Sequence, residues 1–222
     1  SCLPFPPLEA SSFGLIQEKL AADPFILLVA VVFLNKTKGT AAIPKFWQLI
    51  ERYPTPEALA EADSCELTDI IQQLGLQNER AKTLINLANV WVADPPSKGR
   101  RHRKLNYPEP REGCNILPRE ILKDDDERFG AWEIAHLPGC GAYALDSWRI
   151  FCRDKLRGLA LDWNGTGAGS PFQPEWMRVV PKDKELRAFL RWMWLKHGWT
   201  WDPKTGRKER TTFELQQQAK AG

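Results

Sequence analysis

The stretch Leu137-Pro138-Gly139-Cys140-Gly141-Ala142-Tyr143 has the residue types for holding an anion. Pro138 fixes one φ, and two glycines permit φ > 0 and close backbone approach. A tight turn of this kind between two helices frees amides at a helix N-terminus, where they can hold a phosphate. The same residues also suit a plain turn between packed helices. Two further features weigh against the plain turn. A carboxylate, Asp183, lies downstream in Val179-Val180-Pro181-Lys182-Asp183-Lys184-Glu185-Leu186, where it can cap the helix that follows. An aliphatic-tipped turn, Leu74-Gly75-Leu76, lies upstream. The run Lys98-Gly99-Arg100-Arg101-His102-Arg103-Lys104 would sit well near phosphates, and equally well as a solvated loop.

These residues need a scaffold. The chain has 222 residues and is 43% hydrophobic, enough for one large or two small domains with a real core. A net charge of +3 does not by itself argue for nucleic acid. The five cysteines, Cys2, Cys65, Cys114, Cys140 and Cys152, are odd in number and irregularly spaced. They read as reduced thiols, and no four-cysteine cluster for iron and sulfur follows the turn. His102, His136 and His197 show no zinc-ligand spacing. The longest apolar run, residues 25–34, is too short to span a bilayer and reads as a buried helix, and no signal peptide is visible. Beginning at Ser1 without Met, the chain reads as a piece cut from a longer protein.

The periodicity is helical. Ser11 or Ser12 can cap a first helix carrying Leu15, Ile16 and Leu20. Asp23-Pro24 opens the apolar helix, with a capping side chain and Pro at the first position. Residues 41–52, a helix opened by Thr55-Pro56-Glu57, residues 64–73 closed by Gly75, and residues 78–92 follow. Residues 94–126 are rich in Pro, Arg and Lys and read as a long insert, partly disordered. Helicity resumes over 127–135, leads to the turn, and continues through 142–152. A second irregular insert spans 158–174, and residues 184–197 form the last helix, stopped by Gly198. Trp192, Trp194, Trp199 and Trp201 crowd this end, and core packing suits them better than stacking on bases. The tail after 202 reads as loose. With no repeat and no alternating strand pattern, the fold class is all-α.

Several segments occur in a telling order: the apolar run 25–34 with Asn35-Lys36-Thr37, then Ala42-Ile43-Pro44, Leu74-Gly75-Leu76, Arg80-Ala81-Lys82-Thr83, the Gly-rich turn, and Asp146-Ser147-Trp148-Arg149-Ile150-Phe151-Cys152. Together they resemble the helix-hairpin-helix-GPD superfamily of base-excision DNA glycosylases, and within it the thymine glycosylase domain of the methyl-CpG-binding-domain family. The resemblance covers roughly 13–92 and 132–197. It implies a two-lobed helix-hairpin-helix fold within a single glycosylase domain over 1–222. It further implies a nuclear, monomeric enzyme that acts on double-stranded DNA carrying a mispaired or damaged pyrimidine.

The resemblance also assigns roles. Asp183 falls at the catalytic carboxylate, which stabilises oxocarbenium charge as an N-glycosidic bond breaks. Tyr143 stands where bifunctional relatives carry a Schiff-base lysine; a phenol cannot do that chemistry, so a monofunctional reaction leaving an abasic site is expected. Gln17, beside Ile16, matches the reader of the pyrimidine edge. Leu76 matches the wedge that enters the base stack, and Lys36 the plug that fills the vacated space, where the nearest relatives carry arginine. Gly139 and Gly141 would contact phosphate, with hairpin carbonyls available to a monovalent cation; no other cofactor is expected. Arg80, Lys82 and Lys182 are candidate phosphate partners. Asp146, three residues before Arg149, reads as a structural ion-pair partner. The implied reaction is release of thymine or uracil mispaired with guanine. Two alternatives stay open: another damaged pyrimidine on the same scaffold, and a catalytically silent DNA-binding module.

Overall fold

The computed structural model describes residues 4–72 and 74–212. Cys2, Gln73 and residues 213–222 of the expected tail lie outside the described residues. The molecule is mainly helical, as expected, and builds around α2 (Pro24–Leu34). Asp23 caps this helix by accepting from the Ile26 amide at 3.1 Å. Nearly all of its side chains are buried. A helix apolar on every side belongs at the centre of a domain.

One lobe wraps α2 with α3 (Gly39–Arg52), α4 (Pro56–Ala60), α5 (Ser64–Ile71) and α6 (Gln77–Ala93). Thr55 and Asp63 cap α4 and α5 through their side chains. The other lobe holds α1 (Ile16–Leu20), α7 (Ala142–Phe151), α8 (Arg153–Leu156), a 3₁₀ turn (Glu175–Arg178) and α9 (Lys184–Lys196). Its core is aromatic: Trp148, Phe151, Trp176, Phe189 and Trp192 are fully buried. Trp194 and Trp201 are also buried, so these tryptophans serve packing.

Beneath α7 lies a buried ionic layer. Arg149 meets Glu175 at 2.7 Å, and Arg153 meets both Glu133 at 3.1 Å and Glu175 at 3.2 Å. Both guanidiniums stack on Trp132, at 4.5 and 4.9 Å from the ring centre. Asp146 does not pair with Arg149 in this layer. It accepts from the Tyr107 hydroxyl at 2.7 Å, which corrects the expected ion pair.

The first insert is ordered where disorder was expected. Strand β1 (Arg101–Arg103) lies between β2 (Ile121–Leu122) and β3 (Ala131–Trp132), antiparallel to both. A satellite core of Ile116, Leu122 and Ala131 sits under it. The expected helix over 127–135 is instead β3 and a turn, so the first arm of the hairpin is short. The second insert is tied down by Asp162, which accepts from Asn164 and Thr166, and by Trp163 packed on Phe151 and Phe189. Part of the tail is also ordered: β4 (Trp199–Trp201) pairs with β5 (Lys208–Arg210). Arg210 lies over Trp199 at 4.2 Å and Lys208 over Trp194 at 4.4 Å. These cation–π contacts hold a ribbon too short to stand alone.

Candidate active site

A cleft of about 650 Å³ opens between the two lobes. Ile16, Gln17, Tyr143 and Asp183 line one side, and Lys36, Thr37, Ile43 and Pro44 the other. Five of the residues singled out from sequence therefore share one cavity: Ile16, Gln17, Lys36, Tyr143 and Asp183.

Local structure explains how each is held. The expected serine cap of α1 is replaced by Glu18, whose carboxylate accepts from the amides of Phe13, Gly14 and Leu15 at 3.0, 2.7 and 2.8 Å. Glu18 thus fixes the entry to α1 and, with it, Ile16 and Gln17. It is a positioning residue that sequence reasoning missed, and its signal was a carboxylate in the first turn of a helix. Asp183 caps α9: its Oδ1 accepts from the Glu185 and Leu186 amides at 2.9 and 3.0 Å. The cap does not use Oδ2, and Asp183 borders the cleft.

Gln17 is 1% exposed, and its Nε2 donates to the Tyr143 hydroxyl at 2.8 Å. Its Oε1 is buried without a partner. Such an acceptor costs about 1–3 kcal/mol unless something donates to it. Burial, and then the negative charge of Asp183, hold the Tyr143 phenol well above its ordinary range, so it stays protonated. With the hydroxyl oxygen accepting from Gln17, its proton is left to donate.

A second group of residues surrounds the hairpin. Gly139 has φ +79°, and a side chain there would strike Thr83 of α6 at 2.8 Å and Val32 of α2 at 3.4 Å. Glycine is required because backbone, α2 and α6 converge at this point. Gly141 has φ −83°, so it serves as the N-cap position of α7 and not as a left-handed residue. Its amide donates to Gly139 O at 2.9 Å, so it does not point outward as expected. The amides of Ala142, Tyr143 and Ala144 open α7 and have no carbonyl within the helix to bond. A hollow of about 80 Å³ lies beside them, bordered by Val31, Asn35 and the hairpin.

Arg80 corrects a sequence expectation. It is 8% exposed and turns inward, donating to the carbonyls of Val32 and Phe33 at 2.9 and 2.8 Å and to the Thr37 hydroxyl at 3.0 Å. The last carbonyls of α2 lack helical donors, and the guanidinium fork supplies them. Arg80 therefore positions the 35–38 loop that carries Lys36. Lys36, Lys82 and Lys182 are exposed, as phosphate or base partners must be. Lys36 and Leu76 both adopt left-handed backbone, at φ 57° and 51°. Leu76 is also 72% exposed at the start of α6. A large apolar residue held exposed in left-handed backbone is uncommon.

The basic insert is largely consumed within the protein. Arg100 pairs with Asp94, Arg101 donates to the Lys123 and Asp126 carbonyls, and Lys104 donates to the Cys140 carbonyl. His102 and His136, unrelated by sequence spacing, stack at 3.9 Å. Together with Asp94 they offer ligand atoms within 4.8 Å of one another. Arg100 already holds the Asp94 carboxylate, and the Asp94 carbonyl lies 2.9 Å from His136 Nε2, while His136 Nδ1 is buried without a partner.

The model of the HhH-GPD superfamily base excision DNA repair protein family matches residues 29–213. The chain is 42% identical over 67 residues to a thymine-DNA glycosylase of Aeropyrum pernix, which is 30% of each protein. It is 38% identical over 72 residues to a thymine/uracil-DNA glycosylase of Pyrobaculum aerophilum, covering 32% of this chain and 31% of that protein. An endonuclease III of Thermotoga maritima is 29% identical over 70 residues, 32% of this chain and 33% of that protein. The matches thus span about a third of these relatives. The solved structure of a thermostable thymine-DNA glycosylase aligns with a TM-score of 0.38 at 22% identity, over 56% of this chain and 45% of that one.

Proposed function

The chain belongs to the HhH-GPD superfamily of base excision DNA repair proteins, and we propose that it is a monofunctional DNA glycosylase that releases thymine or uracil mispaired with guanine. The observation that carries this reading is the buried Oε1 of Gln17, a residue of the cleft lining, to which no group among the described residues donates. Tyr143 fixes the amide by taking Nε2. What remains is an acceptor, and thymine and uracil present a ring N3–H to it, whereas neutral cytosine presents a lone pair. A site built around a buried polar group rejects a ligand that leaves it unpaired.

The remaining groups fit the same reaction. The extruded nucleotide enters the cleft, and the Asp183 carboxylate faces the sugar as positive charge develops on it. Leu76 enters the stack and Lys36 fills the vacated space, a cation without the planar fork of arginine. The amides opening α7 hold a backbone phosphate, with Lys82 and Lys182 as further phosphate partners. A mispaired base costs less to extrude, which supplies part of the selectivity.

Single-turnover assays on T:G, U:G, T:A and C:G duplexes test this proposal. Release from the first two is expected, with an intact abasic site that breaks only under alkali or heat. Borohydride trapping of a protein–DNA adduct would overturn the monofunctional reading, because it requires an amine nucleophile. Failure to release any base would leave the silent DNA-binding reading.

Leu76→Ala should slow release from well-stacked substrates more than from badly destabilised mismatches, by roughly 1–3 kcal/mol in the former. Because Leu76 is already exposed, its truncation removes no core. Equal losses on every substrate would show that Leu76 has no part in extrusion.

A further inference from the structure

The Cys140–Gly141 peptide at the crown of the hairpin has both polar groups engaged. Its N–H donates to Gly139 O at 2.9 Å, and its C=O accepts from Lys104 Nζ at 2.6 Å. Leu137 O accepts from the Cys140 amide at 3.3 Å and Gly139 O from the Gly141 amide, so a monovalent cation drawn to the hairpin carbonyls would compete with Lys104 for the Cys140 oxygen. We propose that Lys104 is a built-in cation of the hairpin, replacing a diffusible ion, so that the chain holds its DNA phosphate independently of which salt is present. The inference rests on the DNA-binding reading of the hairpin.

The fold delivers Lys104 to this place. Lys104 directly follows β1, and its amide donates to Gly130 O at 2.7 Å. Gly113 packs so closely that a side chain there would lie 2.7 Å from the Lys104 carbonyl. β1 pairs with β3, and the chain passes from β3 through a short turn to the hairpin, so the segment after β1 lies beside the segment that leads to Cys140. The stem of Lys104 is half-buried. The charge is felt locally: burial pushes the Cys140 thiol up to about 12, and Lys104 partly offsets that rise. A tethered ammonium has a fixed effective concentration at the carbonyl, and an ion from solution would have to displace it. It also offsets the carbonyl dipole close to where an anion would bind. Lys104 lies in the insert, so this arrangement was invisible from the hairpin sequence alone.

The test is duplex affinity at one fixed ionic strength in potassium, sodium and tetramethylammonium chloride, for the unaltered chain and for Lys104→Met. The unaltered chain should bind equally in all three. Lys104→Met should bind roughly tenfold more weakly in tetramethylammonium, and potassium should restore part of the loss. A potassium requirement in the unaltered chain would overturn the proposal, as would a Lys104→Met variant that binds normally in tetramethylammonium. The first of these outcomes does not depend on the variant folding. Thallium(I) NMR on the DNA-free proteins gives a second readout: line broadening by Lys104→Met alone supports the proposal, and equal broadening by both proteins overturns it. If neither protein bound duplex, the DNA reading would fail while the thallium result still reported on the carbonyl.

Discussion

Asp183→Asn is expected to lower the rate of the proposed base release by about three orders of magnitude, with duplex affinity staying within a few-fold. The effect should be large because the carboxylate opposes a charge that exists only in the transition state. In the proposed reading, docking uses other groups: the amides opening α7, the exposed lysines and Leu76. The substitution is also structurally mild. Asn caps helices about as well as Asp, so the bonds to Glu185 and Leu186 that start α9 are retained. Asp146→Asn is the control. Asp146 is buried and hydrogen-bonded to Tyr107, and burial raises its pKa to about 6. Its folded pKa lies above its unfolded value, so its contribution to stability is present in acid and lost as pH rises through about 6. Asp146→Asn should therefore flatten the stability profile between about pH 4 and 6 and leave substantial glycosylase activity. A reversed ranking of the two variants in single-turnover assays would overturn the assignment of the catalytic carboxylate.

Glu175→Ala should destabilise the fold by about 3–5 kcal/mol, the range for removing one partner of a buried ion pair. Glu175 serves two guanidiniums at once, Arg149 and Arg153, whose side chains are only 7% and 9% exposed. Without it, Arg149 keeps a bond to the Tyr107 hydroxyl and one to the Arg178 carbonyl, but no carboxylate. Arg153 keeps Glu133. At about 2–4 °C per kcal/mol for a chain of this size, the melting point should drop by roughly 6–20 °C. Denaturant unfolding monitored by tryptophan fluorescence is the direct measurement. A loss below about 1 kcal/mol, the worth of an exposed pair, would mean that water reaches the guanidiniums.

Much of the helical frame was legible because its signals are local. Asp23-Pro24 and Thr55-Pro56 mark helix starts through side-chain caps, and both caps form. Gly198 stops α9 with φ 78°, as its position suggested. The features that stayed hidden depend on distant partners. Strands β1, β2 and β3 are two or three residues long, too short to show alternation, and each is defined by its neighbour. Arg80 has the sequence context of an exposed helix residue, yet its direction is set by carbonyls 47 and 48 residues away. The cleft was more accessible to residue-by-residue matching than to pattern. Gln17 is bland by itself, and only its position beside Tyr143 gives its amide a defined orientation.

The contact between Gly113 and Gly130 bears on how the gene tolerates change. A side chain at Gly130 would lie 2.1 Å from Gly113 N, and both residues sit in left-handed backbone, at φ 88° and 77°. Any replacement forces the two segments apart, and the Lys104 amide hangs from the Gly130 carbonyl. A mutational screen scored on the proposed base release alone would thus group these two glycines with Asp183, though neither lines the cleft. Their variants would be separable from it by one trait: a grip on DNA that has become dependent on the alkali metal in the medium.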